Sequence, residues 1–230
     1  MTVAIISDIH GNYNALLAIA AEIQKRKIKN IICLGDICGY YSEVNECMEL
    51  IKNITDKIVI GNHDSYIIND TQCPRSNSAN KCLEYQKKVL KKENIEWLKC
   101  FPTNAVYYGI NCVHGGWTNN LDEYIKEDNL HTIPIKEDFA VSGHSHIPMI
   151  KKIGNILYCN PGSVGQPRDG DYRASFAILN DNVFEIIRVD YNYKLTQMQM
   201  ESAGFNEYFY VNLAYGLPIG ARNVSLAKEL

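Results

Sequence analysis

The sequence predicts an α/β protein with a parallel sheet, because short apolar runs alternate with segments of helical spacing over residues 1–61. Hydrophobic residues make up 46% of the 230-residue chain, which is enough for a sizeable core. In addition, each of several apolar runs stops at side chains that can bind a metal ion. We expect a single domain spanning residues 1–230.

The N-terminal elements follow from hydrophobic periodicity. Strands are predicted at 3–7, 30–35 and 57–61, and helices at 13–27 and at 42–54, where Ser42 is the expected N-cap. Residues 65–101 are polar and helical, and they interrupt the sheet pattern between two runs that end in ligands. We therefore expect the 65–101 segment to lie over or beside the metal site.

The second half is richer in antiparallel pairs. Hairpins are predicted over 104–116 with a turn at Gly109, over 149–160 with a turn at Gly154-Asn155, and over 174–189 with a turn at 180–182. A further strand is predicted at 138–143, and a helix near 193–203.

Composition excludes several classes of protein. The net charge is −3 and no stripe of Lys and Arg stands out, which disfavours nucleic acid as a partner. No apolar run approaches the ~18 residues of a membrane span, so no membrane association is expected. The N-terminus lacks the features of a signal peptide, and eight cysteines without a Cys-x-x-Cys pair suit a reducing compartment. A cytoplasmic protein is predicted.

The ends of five apolar runs carry the functional signal. They hold Asp8 and His10, Asp36, Asn62-His63-Asp64, His114, and His144 and His146. Each residue alone has a simpler explanation, such as a helix cap or a hydrogen-bonded core histidine. However, five of the six histidines fall at these ends, and carboxyl ends of strands meet at one sheet edge. In an extended chain, spacing i, i+2 also places both side chains on one face. A shared metal site is predicted; His131 has no assigned role.

The motifs SDIHGN, LGDICGY, GNHD, VHGG and GHSH occur in the order typical of calcineurin-like metallophosphoesterases, which the chain resembles. The stretch CNPGSVGQPRDGD (159–171) is similar to the branch of small prokaryotic phosphoesterases related to diadenosine tetraphosphatases and protein phosphatases. The resemblance implies a four-layer αββα sandwich of two mixed β-sheets, with the metal site at the C-terminal edge of the strands. A departure at 39–42, where relatives often carry glycine and prolines after the tyrosine, affects the expected substrate rim.

The resemblance also implies a ligand set. The first metal is expected on Asp8, His10, Asp36 and His146, and the second on Asp36, Asn62, His114 and His144, with Asp36 bridging through its two oxygens. His63 and Asn62 are expected to contact the substrate phosphate, with His63 as the acid that protonates the leaving group and Asp64 orienting its ring. For Asp64, a helix cap is the alternative.

The expected chemistry is hydrolysis of a phosphate ester. Two divalent ions lower the pKa of a bridging water and clamp the phosphoryl oxygens. Nitrogen and oxygen ligands suit Mn, Fe, Co, Ni or Zn. Arg168 and Asn160 are predicted to contact substrate; structural turn residues are the alternative for both. Tyr40 and Tyr41 either stack on a nucleobase or pack in the rim.

The resulting hypothesis is a dinuclear metal-dependent phosphatase or nucleotide pyrophosphohydrolase, acting on small nucleotides or phosphoproteins. A phosphodiesterase is the alternative on the same site. A non-catalytic metal-binding scaffold is the alternative of another class. A metallopeptidase-like hydrolase is disfavoured because Asn62-His63 has no evident task there.

Overall fold

The computed structural model describes residues 1–134 and 136–221, and within these ranges its strands form two mixed β-sheets flanked by helices. The strands are β1 (Val3–Ile6), β2 (Asn30–Cys33), β3 (Asn104–Tyr107), β4 (Ile110–Val113), β5 (Phe139–Val141), β6 (Met149–Ile153), β7 (Ile156–Asn160), β8 (Ala174–Asn180) and β9 (Val183–Val189). The α-helices are α1 (Tyr13–Lys25), α2 (Val44–Ile54), α3 (Asn62–Ile68), α4 (Asn77–Val89), α5 (Lys92–Leu98) and α6 (Tyr193–Ser202). None of them has the length and apolar character that crossing a membrane requires.

Both sheets combine parallel and antiparallel pairs. The first has the order β2-β1-β8-β9, and the second has the order β3-β4-β5-β7-β6. Strands β1 and β2 are parallel, as are β4 with β5 and β5 with β7, whereas the remaining pairs are antiparallel. The parallel strands point the same way, so their carboxyl ends gather in the region that carries the predicted ligands.

The sandwich is held together by a core between the sheets. Alternate residues of β1 face opposite ways: Val3 and Ile5 pack into this inter-sheet core, while Ala4 and Ile6 pack in the core that contains α1 and α2. On the far side of the second sheet, Tyr158 belongs to a smaller cluster with residues of the 117–134 segment. The expected sandwich of two mixed sheets flanked by helices is thus confirmed.

Two local predictions differ from the structure. Residues 57–61 form only an isolated parallel bridge between Cys33 and Ile58, because the backbone N–H of Ile60 then donates to Pro102 and the segment leaves the sheet. Ser42 does not cap α2; its hydroxyl donates to Glu43, which occupies the N-cap position.

The predicted hairpins form with two-residue turns. Tyr108-Gly109 joins β3 to β4, and Asp181-Asn182 joins β8 to β9; all four residues have positive φ. This is the backbone that suits the right-handed twist of a hairpin. The predicted C-terminal helix is α6.

Candidate active site

The turns that follow the strands place the predicted ligands. The backbone is left-handed, with φ between 51° and 65°, at Asp8, His10, Asp36, His144 and His146. Non-glycine residues adopt this conformation rarely, and it is a form of strain that concentrates at functional sites. The paired side chains therefore converge because the chain turns, and not because it is extended as their i, i+2 spacing suggested.

Two glycines allow these turns to approach one another. A Cβ atom on Gly39 would lie 2.5 Å from His10 Nδ1 and 2.7 Å from His63 Nδ1, and Gly39 has φ of 109°. A Cβ on Gly61 would collide with the Asp36 carboxylate. Both positions require glycine because ligand side chains occupy the space a larger residue would need.

Three imidazoles are oriented by the backbone so that Nε2 faces the centre. The Nδ1 atoms of His10 and His114 each lie 2.8 Å from a carbonyl oxygen, of Cys38 and Leu34, and His146 Nδ1 lies 2.5 Å from the Gln166 carbonyl. Because a carbonyl oxygen can only accept a hydrogen bond, Nδ1 carries the proton. In a neutral ring, Nε2 then has an unprotonated lone pair. In known metal sites, a hydrogen bond from the ring nitrogen that does not bind the metal orients the histidine in this way.

The bare nitrogens meet other electron-rich atoms. His10 Nε2 lies 3.1 Å from His146 Nε2, and His114 Nε2 lies 3.1 Å from Asn62 Oδ1. Two lone pairs at this separation repel each other unless a proton or a cation lies between them. His144 Nε2 and Asp8 Oδ1 are also buried, without hydrogen-bond partners. These orphaned donor atoms fit a bound metal ion.

The two carboxylates lie at the centre of this cluster. Asp36 Oδ1 accepts from the backbone N–H of His63 at 2.8 Å, while Oδ2 lies 3.5 Å from His10 Nε2 and 3.4 Å from His114 Nε2. Asp36 thus presents one oxygen towards both histidines, whereas the sequence suggested one oxygen for each ion. Asp8 Oδ1 lies 3.2 Å from His146 Nε2.

The electrostatics indicate an excess of negative charge around Asp8 and Asp36. Burial favours neutral His114, but the carboxylates of Asp36 and Asp8 outweigh it and raise the pKa of His114 to about 10. Conversely, burial lowers the pKa of His144 to about 3. His114 is therefore protonated beside the carboxylates of Asp36 and Asp8. A bound metal cation would neutralise the same negative charges.

The ligand atoms group into overlapping sets. Within each set they lie within 4.8 Å of one another, and every residue is buried; the sets are Asp8, His10 and His146; His10, Asp36 and His63; and Asp36, His114 and His144. Asp36 belongs to two of these sets. The arrangement consists of nitrogen and oxygen donors only, as expected for a first-row divalent ion.

His63 lies beside the cluster, but its relation to Asp64 differs from the prediction. Both Asp64 oxygens accept from backbone N–H groups, of Cys38 at 2.9 Å and of Gly61 at 3.0 Å. Asp64 is therefore a cap of the α3 N-terminus and does not orient the His63 ring, whose Nδ1 has no hydrogen-bond partner. Burial lowers the pKa of His63 to about 4, so the ring is neutral at pH 7.

The two other predicted substrate contacts have different surroundings. Asn160 donates to the Gly143 carbonyl and to Ser145 and accepts from the Gly162 N–H, so its amide ties two loops together instead of lining a cleft. This is the structural alternative. Arg168 instead faces the cleft, and in the described part of the chain no carboxylate forms a salt bridge with it.

Sequence reasoning placed Tyr40 on a nucleobase or in the rim, and it did not predict that Tyr40 and Gln166 hold Arg168. Gln166 Oε1 accepts from its Nε at 3.1 Å and from Nη2 at 2.8 Å, and Tyr40 Oη accepts from Nη2 at 3.0 Å. The guanidinium also lies 5.6 Å from the centre of the Tyr40 ring. Sequence reasoning also missed Tyr124, whose ring centre is 4.1 Å from that of His144. The two-residue spacing of Gln166 and Arg168 was the only signal in the sequence.

A cleft of about 210 Å³ opens above the cluster. Its floor contains Asp36, Asn62 and His63, and its walls come from Tyr124, from Cys73, Arg75, Ser76 and Ser78, and from Pro218 and Ile219. The 65–101 segment thus contributes residues 73–78 to one wall.

Comparison with known proteins identifies the family. Residues 1–182 match the calcineurin-like phosphoesterase superfamily domain. The chain belongs to this superfamily. Superfamily members are metal-dependent phosphoesterases, and the buried Asp and His clusters are consistent with a metal site of the kind typical of the superfamily.

Several relatives extend the match. An uncharacterized protein of Methanocaldococcus jannaschii is 36% identical in an alignment of 219 residues. The match covers 84% of this chain and 88% of that protein. A metallophosphoesterase structure from Sphaerobacter thermophilus has 30% identity and a TM-score of 0.82, covering 94% of this chain and all of that one. The phosphodiesterase YfcE of Escherichia coli is 36% identical over 55 residues, 24% of this chain and 29% of that protein.

Proposed function

We propose that this metallophosphoesterase is a dinuclear phosphatase that hydrolyses small phosphate monoesters, nucleotides among them. The proposal is based on the nitrogen and oxygen atoms around Asp36 that can coordinate a metal ion. One oxygen of Asp36 faces histidines of both predicted ligand groups, His10 and His114. One ion is assigned to Asp8, His10, Asp36 and His146, and the other to Asp36, Asn62, His114 and His144. Two such ions supply an activated water and a clamp on the phosphoryl oxygens.

The residues of the chain supply the rest of the chemistry. Arg168, which has no carboxylate partner among the described residues and is held by Gln166 and Tyr40, binds the substrate phosphate. His63 donates a hydrogen bond to a phosphoryl oxygen from a neutral ring, because burial outweighs the nearby Asp36 carboxylate and lowers the pKa of His63 to about 4. Burial of the cluster excludes bulk water and strengthens these interactions.

The cleft favours monoesters over diesters. This preference is based on its walls, which come from three separate segments around a cleft of about 210 Å³. A phosphodiesterase is the second candidate, because of the short match to the phosphodiesterase YfcE. Nucleotides and phosphoproteins are the natural substrate classes that carry such monoesters.

A hydrolysis screen tests the proposal. The purified protein is incubated with Mn²⁺, Fe²⁺, Co²⁺, Ni²⁺ or Zn²⁺ and with a nitrophenyl monoester, a bis-nitrophenyl diester, nucleotides, dinucleoside polyphosphates and a phosphopeptide. We expect metal-dependent hydrolysis with monoesters preferred. His146→Asn should abolish it, whereas His131→Asn, a change at an exposed histidine outside the buried ligand groups, should leave it intact. A preference for the diester would replace the first candidate with the second.

A further inference from the structure

The C-terminal strap, residues 204–221, lies beyond the segment that matches the superfamily domain, yet it returns to the cleft. Pro218 and Ile219 of the strap line the cleft. Neither residue is adjacent in sequence to a turn that carries a predicted metal ligand. We infer that the strap is the leaving-group wall, and that the cleft selects phosphate esters whose leaving group carries an apolar portion. This inference rests on the proposed function, because it assigns the substituent of the same substrate.

The strap is fixed to the body of the protein. Phe209 and Leu213 are buried in the core that contains α1 and α2, and the Phe205 ring contacts Tyr85 of α4 with centres 5.3 Å apart. The N–H of Leu217 donates to the Asn212 carbonyl, immediately before the two wall residues. Pro218 and Ile219 are therefore held in place without a ligand.

A second attachment links the strap to the loop that carries Arg168. The N–H of Gly170 donates to the Gly216 carbonyl at 3.1 Å, and a Cβ on Gly216 would lie 2.5 Å from the backbone of Asp171. Gly216 has φ of 61°. Since Arg168 is the proposed phosphate contact, this attachment sets the position of the apolar wall relative to the substrate phosphate.

The polar groups of the rim are already engaged within the protein. Arg75 forms an ion pair with Asp122, so its charge is compensated. Ser76 accepts from the N–H of Ala79 and contacts the Ser78 hydroxyl. These contacts occupy part of the polar capacity on this side of the cleft, where Pro218 and Ile219 add apolar surface, and Ile219 also packs against the core that contains α1 and α2. An apolar leaving group fits this rim better than a second phosphate.

Binding of phosphonates tests the wall without requiring hydrolysis. Isothermal titration calorimetry of the Mn²⁺-loaded protein compares methylphosphonate, butylphosphonate and 3-phosphonopropionate. Each fully buried methylene contributes about four-fold in affinity, so a wall on one side should give butylphosphonate about a tenfold advantage over methylphosphonate. The carboxylate of 3-phosphonopropionate should remove this advantage.

Variants of the strap make the test specific. Ile219→Ala should reduce the preference for the butyl compound at least three-fold and leave methylphosphonate affinity unchanged. Gly216→Ala should do the same by pushing the strap away from Asp171. Gly204→Ala is the matched control, because Gly204 also has positive φ, 86°, but a Cβ there meets nothing within 4 Å. If Gly216→Ala does not fold, Ile219→Ala decides the result alone.

The outcomes separate this inference from the proposed function. An equal butyl preference in the wild-type protein and in Ile219→Ala overturns the wall, as does tighter binding of 3-phosphonopropionate than of butylphosphonate. Failure to hydrolyse any ester, together with a butyl preference that Ile219→Ala removes, would refute the phosphatase and leave an apolar wall beside a phosphate-binding site.

Discussion

His63 lies on the floor of the cleft, and its ring is neutral at pH 7 because burial outweighs the Asp36 carboxylate, while both Asp64 oxygens bind backbone N–H groups. Its contribution should therefore be a hydrogen bond to the phosphoryl group. We expect His63→Ala to lower kcat by about 10²-fold, within the range for loss of one transition-state hydrogen bond. Metal content, measured by elemental analysis, should stay at the wild-type value.

Leaving-group dependence distinguishes this role from acid catalysis. If His63 is a neutral donor, the loss in His63→Ala should be similar for nitrophenyl and alkyl phosphates. A proton donor would matter far more for the alkyl ester, whose leaving alkoxide needs a proton. A loss confined to alkyl esters would therefore restore the acid role predicted from the sequence.

His114 makes metal binding dependent on pH. Burial opposes its protonation, but Asp36 and Asp8 raise the pKa of His114 to about 10 in the metal-free protein, so the ring is charged below that pH. The ion that binds His114 must displace this proton. We expect the apparent affinity of that ion to rise by about one order of magnitude per pH unit between pH 7 and 9.

Proton release can be measured directly. Calorimetric titration with Mn²⁺ in two buffers of different ionisation enthalpy should show release of about one proton. His131→Asn should show the same release, since His131 lies outside the site. Metal binding with no buffer dependence would contradict the assignment of His114 as a ligand.

At the level of elements, helix α3 depends on Asp64 for its start. The Asp64 side chain satisfies the N–H groups of Cys38 and Gly61 inside the protein. In Asp64→Asn, an NH₂ group faces one of these N–H donors, so the free energy of unfolding should fall by about 1–3 kcal/mol. Urea denaturation measures this change.

Asp70→Asn serves as the control for that experiment. Asp70 is exposed and pairs with Lys87 on the surface, so its substitution should change stability by less than about 0.5 kcal/mol. Asp64→Asn should also keep kcat near the wild-type value. Unchanged stability combined with a large loss of kcat would contradict the capping role.

The periodicity of the sequence was sufficient to locate α1, α2 and α6 and three hairpins, because each buries one face or turns at residues that favour positive φ. It did not reveal that 57–61 would form only one bridge. That outcome depends on Pro102, which is remote in sequence and accepts the N–H of Ile60. Local patterns do not contain such tertiary competition.

The same limit applies to the site. Residue types at strand ends were enough to assemble the buried cluster, because metal chemistry requires a small set of side chains. The partners of Asp64 and two of the three partners of Asn160 are backbone groups, and every sequence position offers such groups. The strap residues Pro218 and Ile219 carried no local signal, since only the packing of 204–221 brings them to the cleft.

For the whole molecule, the proposed metal centre joins the two sheets. Asp8 and Asp36 follow strands of the first sheet, whereas His114 and His144 follow strands of the second. A ligand bound only by the folded state, present at 100 times its Kd, stabilises by about 2.7 kcal/mol. We expect metal saturation to raise Tm by about 5–10 °C in thermal unfolding, relative to protein treated with a chelator.

Asp36→Asn tests whether one residue serves both ions. The amide oxygen can still accept from the His63 N–H, but the negative charge at the centre is lost. Elemental analysis should then find at most one ion per chain, and metal should raise Tm by less than half the wild-type amount. Two tightly bound ions in this variant would show that Asp36 does not bridge.

The left-handed turns also limit how this centre can change. Aspartate, asparagine and histidine are the side chains, apart from glycine, that tolerate such backbone best, and they are hard or intermediate ligands. Five predicted ligands adopt it, while none of the eight cysteines does. The backbone conformation and the metal thus favour the same few residue types. A redesign that aimed at a thiolate centre would have to rebuild the turns before it exchanged the ligands.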